Sequence, residues 1–307
     1  MIFRKVLIFT ISLMLFSVCA NAKTKKKYLA LGDSITEGYT LANKEEDCFA
    51  SLLAKKYDLE LTNEALAGDK SSDLLEKLSN YNIDDYDVIT ICIGANDIFH
   101  EFTEKFYEIG LDNPQELYDA IFNDTEMDSK IDEDLKVLES NLPKIMEIIK
   151  SGHAQIYMMN VYNPYNNAII NGLDVIADKY VKKVNEVIKK YSAGTTFIDL
   201  YKSLNNSKGI LNSQSFDGGK FYDPHPNIKG HKKIFAILDE AYDKNNTTTT
   251  SIILIITFGV VVVLLEVFEM IYTVKKFSFK NVNNSVDKPK IESKEEEKKD
   301  SSRFIRS

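Results

Sequence analysis

The sequence predicts an α/β fold in which five parallel strands alternate with helices in three layers. Short continuous apolar runs are typical of strands covered on both faces, and amphipathic segments with helical spacing lie between them. This alternation, without an internal repeat, favours a doubly wound parallel sheet. The predicted strands are 28–31, 59–63, 86–94, 155–161 and 195–200.

The helices are predicted from apolar spacing and from capping residues. Residues 98–128 are less patterned and are interpreted either as a lid over a site or as a loop with a short helix, and 208–221 is interpreted as a loop. Pro143 falls within one predicted helix, where we expect a kink. The predicted helices are 45–57, 73–78, 131–150, 173–191 and a last one from Pro226 to about Tyr242.

Residues 1–22 have the pattern of a secretory signal peptide. A basic start is followed by an apolar run and by the small-residue site Ala20-Asn21-Ala22, as in segments that are cleaved after export. The run is too short to span a bilayer comfortably. Cys19 leaves a lipoprotein signal open, although Val18 before it fits that pattern poorly. Residues 23–243 are therefore predicted to form one extracellular domain.

Residues 252–274 are almost wholly apolar and match the length of a transmembrane helix. Lys275 and Lys276 follow at once, which places that end in the cytoplasm by the positive-inside rule. Residues 244–251 are expected to be a polar linker, and 275–307 a disordered tail because of its charged composition. Glu266 and Glu269 lie on one helical face, where they either contact a partner helix or reach the membrane interface.

The net charge argues against one class of partner, and the cysteine content argues against a disulfide framework. The net charge is −8 and both terminal segments are basic, so the region between them is strongly acidic, which argues against nucleic acid. Cys48 and Cys92 remain after signal cleavage. They make no disulfide framework, Cys92 is expected in the core, and a single bridge stays open.

Four residues with chemical roles follow predicted strands or precede the last helix. They are Ser34, Gly68, Asn96 and His225. Such positions gather at one edge of a parallel sheet, which is the usual place for a site. Taken alone, the stretch around Ser34 is equally well explained as a strand, a turn and a helix cap.

These residue types fit acyl transfer. Serine becomes a nucleophile when an imidazole takes its proton, and His225 is the candidate base, with Asp223 placed to orient it. The backbone N–H groups of Ser34 and Gly68 and the amide of Asn96 can serve as three oxyanion-hole donors. We find no zinc-type ligand spacing and no glycine-rich phosphate loop.

Together these blocks resemble the SGNH, or GDSL, hydrolases, a family of serine esterases and lipases that includes lysophospholipases. The blocks appear in order as Gly32-Asp33-Ser34 with Gly38, then Asn63 to Gly68, Gly94-Ala95-Asn96-Asp97, and Asp223-Pro224-His225-Pro226-Asn227. The resemblance spans residues 28–231 and implies a flavodoxin-like sheet of order 2-1-3-4-5, without metal or cofactor. It also implies Ser34 as nucleophile.

One departure from the family concerns the acid. Family members usually carry it three residues before the histidine, where this chain has Tyr222. Asp223 lies two residues before His225. Either Asp223 still serves as the acid and reaches His225 along a different path, or a backbone carbonyl orients His225 and the site works as a dyad of Ser34 and His225. Asn163 and Tyr165 are candidate substrate-binding residues, or simply part of a turn. His231 is expected at the surface or behind the site, and His100 is a possible pocket residue.

The sequence thus predicts a membrane-anchored, outward-facing serine esterase that hydrolyses acyl or acetyl esters. Esters of cell-surface glycans or of membrane lipids, including lysophospholipids, suit the predicted location. Two other classes stay open: a catalytically inactive surface binding module, and a membrane scaffold or signalling protein that uses Glu266 and Glu269 to hold a partner helix. Intact Ser34, Asn96 and His225 argue against the inactive module.

Overall fold

A five-stranded parallel sheet organises the chain in the computed structural model, which describes residues 24–109, 114–165, 172–205, 207–216 and 219–286. The strands are β1 (Lys27–Gly32), β2 (Glu60–Asn63), β3 (Val88–Cys92), β4 (Gln155–Met159) and β5 (Thr196–Ile198). Neighbours pair in parallel in the order β2-β1-β3-β4-β5. This confirms the predicted fold class and the strand order that the family resemblance implies.

Helices connect the strands and cover both faces of the sheet. The helices that precede β3 are α1 (Ser34–Glu37), α2 (Lys44–Asp47), α3 (Phe49–Tyr57) and α4 (Ser71–Lys77). Those that follow β3 are α5 (Ala95–Ile109), α6 (Pro114–Phe122), α7 (Met127–Ile149), α8 (Leu173–Tyr191), α9 (Leu200–Leu204) and α10 (Ile228–Val286). The helix over 131–150 was predicted with a kink at Pro143, and α7 continues through that residue.

The two faces of the sheet form two separate apolar cores because successive strand residues point to opposite sides. Leu29 and Leu31 of β1 pack with the layer that contains α5, α7 and α8. Tyr28 and Ala30 pack with the layer that contains α3, α9 and the start of α10. This three-layer arrangement leaves the carboxyl ends of the strands free to form a site.

The segment 98–128 was interpreted as a lid over a site or as a loop with a short helix, and its described residues do not form such a loop. Most of it is helical, as α5 and α6, and Phe102, Leu117 and Ile121 are buried in the first core. The helical spacing of these apolar residues is interrupted by many charged ones, which hides the pattern in the sequence. The segment therefore supports the sheet, and only part of α5 faces the site.

The segment 208–221 was predicted as a loop, but the structure has an antiparallel pair here, β6 (Leu211–Phe216) and β7 (Gly219–Pro226). The predictive signal was Asp217-Gly218-Gly219 between two short runs, since Asp-Gly is a strong hairpin turn sequence. Strand β7 carries Asp223 and His225. The short helix α9 was also not predicted.

Helix α10 does not end near Tyr242 as predicted but continues to Val286, through the expected polar linker 244–251. The chain divides into two compact units, one ending at Lys244 and one beginning at Asn245. Within the described residues, α10 is the one helix long and apolar enough to cross a membrane. Large apolar side chains of the second unit, such as Leu254 and Phe258, are exposed.

Some predictions fall outside the described residues. The expected signal peptide 1–22 and the tail from 287 onward lie there, whereas 275–286 of the predicted tail is helical. Cys48 and Cys92 are buried free thiols, so they do not form the bridge left open by the sequence. Cys92 lies in β3, as expected for a core residue.

His231 is buried rather than at the surface, with 1% of its area exposed. The Nδ1 atom accepts a hydrogen bond from the backbone N–H of Phe49 at 3.4 Å. Burial lowers the pKa of His231 to about 4, and the charge of His225 acts in the same direction. The imidazole of His231 therefore takes up a proton at higher pH in the unfolded chain than in the folded chain.

We expect this histidine to weaken the fold in acid. Above about pH 6.5 the free energy of unfolding is not reduced by His231, which is neutral in both the folded and the unfolded chain. As the pH falls from about 6.5 to about 4, only the unfolded chain takes up a proton at His231, and the free energy of unfolding decreases by about 3 kcal/mol. His231→Asn keeps an acceptor for Phe49 without a titrating ring. Urea unfolding at pH 7.5 and pH 4.5 should show a smaller acid-induced loss in this variant. Equal losses in both proteins would contradict the assignment.

Candidate active site

Ser34 stands immediately beyond β1, at the carboxyl edge of the sheet. It begins α1, and the Asp33 side chain caps this helix by accepting a hydrogen bond from the Ile35 N–H at 3.0 Å. Gly32 is needed at the end of the strand because a Cβ there would lie 2.4 Å from the carbonyl oxygen of Cys92. The local sequence therefore turns the chain sharply and presents Ser34, which is 7% exposed.

His225 of β7 reaches Ser34 across a separation of 191 residues. Its Nε2 atom lies 2.9 Å from Ser34 Oγ, and its Nδ1 atom lies 2.5 Å from Asp223 Oδ1. A ring that donates Nδ1–H to the carboxylate has a free lone pair on Nε2, which accepts from the serine hydroxyl. The structure thus brings together the three residues that the sequence analysis named as nucleophile, base and acid, and it does so despite the unusual spacing of Asp223.

Asp223 is held as an anion by its neighbour. Its Oδ1 atom also accepts the backbone N–H of His225 at 2.8 Å. Burial acts to raise the pKa of Asp223, but the hydrogen bonds and the charge of His225 outweigh it, and the pKa lies below its usual range. An ionised carboxylate at this position favours a positively charged imidazole, which is the form a base takes after removing a proton.

The histidine segment is fixed by side chains that the sequence analysis did not predict. Tyr162 donates its hydroxyl to the carbonyl oxygen of Pro224 at 2.5 Å, and Asn212 Nδ2 donates to the carbonyl oxygen of His225 at 3.2 Å. The ring of Tyr39 lies 5.1 Å from the imidazole, centroid to centroid. These contacts restrain the imidazole beside Ser34.

Gly68 and Asn96 lie in the wall of the same cavity as Ser34. Gly68 has a φ of +89°, a conformation that favours glycine, although a Cβ would meet nothing within 4 Å. Asn96 Nδ2 donates one hydrogen to the carbonyl oxygen of Asp69 at 3.0 Å. An amide nitrogen carries two hydrogens, which leaves one for a substrate.

The cavity in front of Ser34 has a volume of about 440 Å³ and mostly apolar walls. Helix α5 contributes Asn96, Phe99 and Thr103 to the wall, which are successive residues of one helical face. The loop after β4 contributes Val161 and Tyr165. Ser34, His225 and Asn96 therefore share a mostly apolar cavity.

Two buried aspartates lie beside the site. Burial raises the pKa of Asp33 to about 7, while its hydrogen bond from Ile35 and the charge of His225 oppose the rise. Asp97 accepts both the N–H and the hydroxyl of Ser71, at 3.0 Å and 2.5 Å. These hydrogen bonds hold the turn after β1 and join the start of α5 to the start of α4.

The candidate substrate-binding residues separate in the structure. Tyr165 lies in the cavity wall, whereas Asn163 does not. Asn163 Nδ2 donates to the carbonyl oxygen of Asp174, and its Oδ1 accepts the N–H of Tyr165, at 2.8 Å and 2.9 Å. The geometry therefore favours the turn interpretation for Asn163 and keeps Tyr165 as a candidate.

His100 is also outside the cavity wall. Its Nε2 atom lies 3.1 Å from Glu101 Oε1 and 3.7 Å from Asp134 Oδ2. Among the residues that the structure describes, this is the one group whose possible metal-ligand atoms lie within 4.8 Å of one another. The structure therefore places His100 beside two carboxylates rather than in the cavity wall.

A serine paired with a histidine and a carboxylate at the edge of a parallel sheet is the arrangement of hydrolases that act through a serine. The sequence model of the GDSL-like Lipase/Acylhydrolase family matches residues 30–233. The chain belongs to this family of hydrolases, which confirms the resemblance seen in its sequence blocks.

The chain is also similar to individual proteins and solved structures. The chain is 25% identical over 247 residues to the uncharacterized protein YpmR of Bacillus subtilis (strain 168), covering 73% of this chain and 85% of that protein. An extracellular lipase from Streptomyces rimosus superposes with a TM-score of 0.54 at 19% identity, covering 70% of this chain and 99% of the lipase. Phospholipase A1 from Streptomyces albidoflavus NA297 gives a TM-score of 0.54 at 16% identity, with coverage of 71% and 100%. At such identities the two structures support the fold alone.

Proposed function

We propose that this chain is a membrane-anchored, extracellular carboxylic-ester hydrolase that acts through an acyl-enzyme on Ser34. The observation that carries the proposal is the contact of Ser34 Oγ with His225 Nε2, 2.9 Å apart, in the wall of a mostly apolar cavity. A hydroxyl alone is a weak nucleophile, and a neighbouring imidazole makes it an effective one.

In the proposed reaction, His225 takes the proton of Ser34 as its oxygen attacks the ester carbonyl. Asp223 stabilises the imidazolium, which then returns the proton to the departing alcohol. Water, activated by the same imidazole, attacks the acyl-enzyme and releases the carboxylic acid. The backbone N–H groups of Ser34 and Gly68 and the Asn96 amide stabilise the negative oxygen of each tetrahedral intermediate.

The cavity supports an apolar acyl group longer than acetyl. From Asn96 to Thr103 is seven residues of α5, or about 10.5 Å of helix. An extended hydrocarbon advances about 1.25 Å per carbon, given bonds of about 1.52 Å. The wall therefore matches an acyl chain of about eight carbons. Phe99 and Tyr165 contribute aromatic surface along this path.

The location is proposed from the sequence at both ends. Residues 1–22 have a signal-peptide pattern, 252–274 match a membrane span, and the following lysines favour a cytoplasmic carboxyl end. The exposed apolar surface of α10 between Ile252 and Val274 is compatible with lipid. A tethered enzyme of this kind would act on esters in or near the membrane. The hypothesis of a partner helix at Glu266 and Glu269 stays a prediction.

We expect hydrolysis of p-nitrophenyl esters by the full chain in dodecyl maltoside. Because acetate reaches little of the apolar wall, kcat/KM should rise from acetate to octanoate and fall again beyond about ten carbons, where the chain exceeds the wall estimated above. A maximum at acetate would contradict the acyl length of about eight carbons and would indicate a deacetylase. No hydrolysis at any length would favour the inactive binding module.

A further inference from the structure

Glu37 connects the helix that carries Ser34 to the loop that carries Gly68. It is the last residue of α1, three positions after Ser34. Its Oε2 atom accepts the backbone N–H of Ala67 at 2.6 Å, and its Oε1 atom pairs with Lys44 Nζ. The side chain is 19% exposed, so this carboxylate is largely withdrawn from water, and its partner Ala67 lines the cavity.

The loop over 64–69 is attached at both ends. The Glu64 N–H donates to the carbonyl oxygen of Ala30 at 3.3 Å, the Asp69 N–H donates to that of Leu66 at 3.2 Å, and the Asp69 carboxylate pairs with Lys77 Nζ. Asn63 Oδ1 accepts the N–H of Ala65 at 3.3 Å, and the carbonyl oxygen of Asp69 accepts Asn96 Nδ2 at 3.0 Å. Gly68 lies between the attachments at Ala67 and Asp69. Because Gly68 has no side chain and occupies a left-handed conformation, its peptide groups have more freedom than those of other residues.

These hydrogen bonds connect, one after another, the three segments that carry the predicted oxyanion-hole donors. The helix of Ser34 is tied through Glu37 to Ala67, next to Gly68, and the loop is tied through Asp69 to Asn96. Donors stabilise a developing oxyanion when they are fixed in place before the reaction begins. A bond from an N–H to a carboxylate is shorter and stronger than one between neutral groups, which suits it to hold this loop.

We propose that Glu37 is a positioning residue that aims the Gly68 N–H at the oxyanion. The proposal rests on the proposed function, and in particular on Gly68 as a donor. The ordinary alternative is that Glu37 serves only its ion pair with Lys44, and ion pairs near the surface contribute little. The two interpretations differ in what happens when Lys44 is changed.

Three variants of the full chain separate these interpretations. Glu37→Ala removes the acceptor for Ala67, Glu37→Gln keeps a neutral acceptor, and Lys44→Met removes the ion pair alone. We expect Glu37→Ala to lower kcat for p-nitrophenyl butanoate by about 10- to 100-fold, since small misplacements of catalytic groups have effects of that order. KM should stay within about twofold, because the acyl wall is untouched.

The matched variants should behave differently. Glu37→Gln should recover kcat to within about fivefold of the unsubstituted chain, and Lys44→Met should stay within about twofold, because both retain the bond to Ala67. Hydrogen exchange followed by mass spectrometry gives a readout independent of activity. The peptide containing Ala67 should exchange faster in Glu37→Ala than in the other three proteins.

Each contrary result has its own meaning. Equal kcat for Glu37→Ala and the unsubstituted chain would overturn the inference while leaving the esterase intact. A loss in Lys44→Met as large as that in Glu37→Ala would assign the effect to the ion pair and would also overturn it. No Ser34-dependent hydrolysis by the unsubstituted chain would refute the proposed function, and this inference with it.

Discussion

Replacing Ser34 with alanine is expected to lower kcat for p-nitrophenyl butanoate by about 10⁶-fold, the scale seen when a nucleophilic serine is removed. The alanine has no oxygen to form the acyl-enzyme, and His225 Nε2 loses the hydroxyl that lies 2.9 Å away. The substitution leaves the apolar wall of the cavity in place, so a fluorescent fatty acid should still bind to the variant. The measurement is steady-state hydrolysis together with this binding titration.

Ser79→Ala provides the matched control for Ser34→Ala. Ser79 is exposed, and its hydroxyl donates to the carbonyl oxygen of Glu76 on the surface. The same chemical change there should leave kcat within about twofold, as is usual for surface substitutions. If Ser34→Ala kept more than a tenth of the activity, Ser34 would not be the nucleophile, and the proposed reaction would be wrong.

Replacing Asp223 with asparagine is expected to lower kcat by about 10³- to 10⁴-fold, as for the acid of other serine hydrolases. The amide oxygen can still accept from the His225 backbone, but it no longer offers a negative charge to the imidazolium. Because the folded-state pKa of Asp223 lies below its usual range, its carboxylate is ionised throughout pH 4–9, and the loss in Asp223→Asn should extend over this whole range. The measurement is kcat across pH 4–9.

The surface change Asp84→Asn is the control for Asp223→Asn, since Asp84 is exposed and away from the cavity wall. It should leave the pH profile unchanged. Turnover by Asp223→Asn within threefold of the unsubstituted chain would mean that the 2.5 Å contact with His225 Nδ1 is not needed. The chain would then work as a Ser34–His225 dyad.

The centre of the sheet could be predicted from sequence because strands covered on both faces are mostly apolar. An example is Val88–Cys92, where every residue is buried. The hairpin of β6 and β7 was not predicted because its residues include many polar ones, for which composition alone favours a loop. Helix α10 continues through Asn245 to Thr250 although this composition is typical of a spacer.

The candidate site was predicted where chemistry follows directly from position along the chain. Ser34 and Asn96 each follow a strand, and parallel strands bring their carboxyl ends together. Glu37, Tyr162 and Thr103 were not assigned a role, because what they contact depends on loops distant in sequence. For Glu37 the signal was its position three residues after Ser34, within the same short turn.

The most direct test of the account is covalent labelling of the full chain by a fluorophosphonate, followed by peptide mapping. The reagent phosphonylates a serine that a neighbouring imidazole has activated. We expect a single adduct on Ser34, with labelling strongly slowed in His225→Ala. An adduct on a different residue, or no adduct while the cavity still binds a fatty acid, would contradict it.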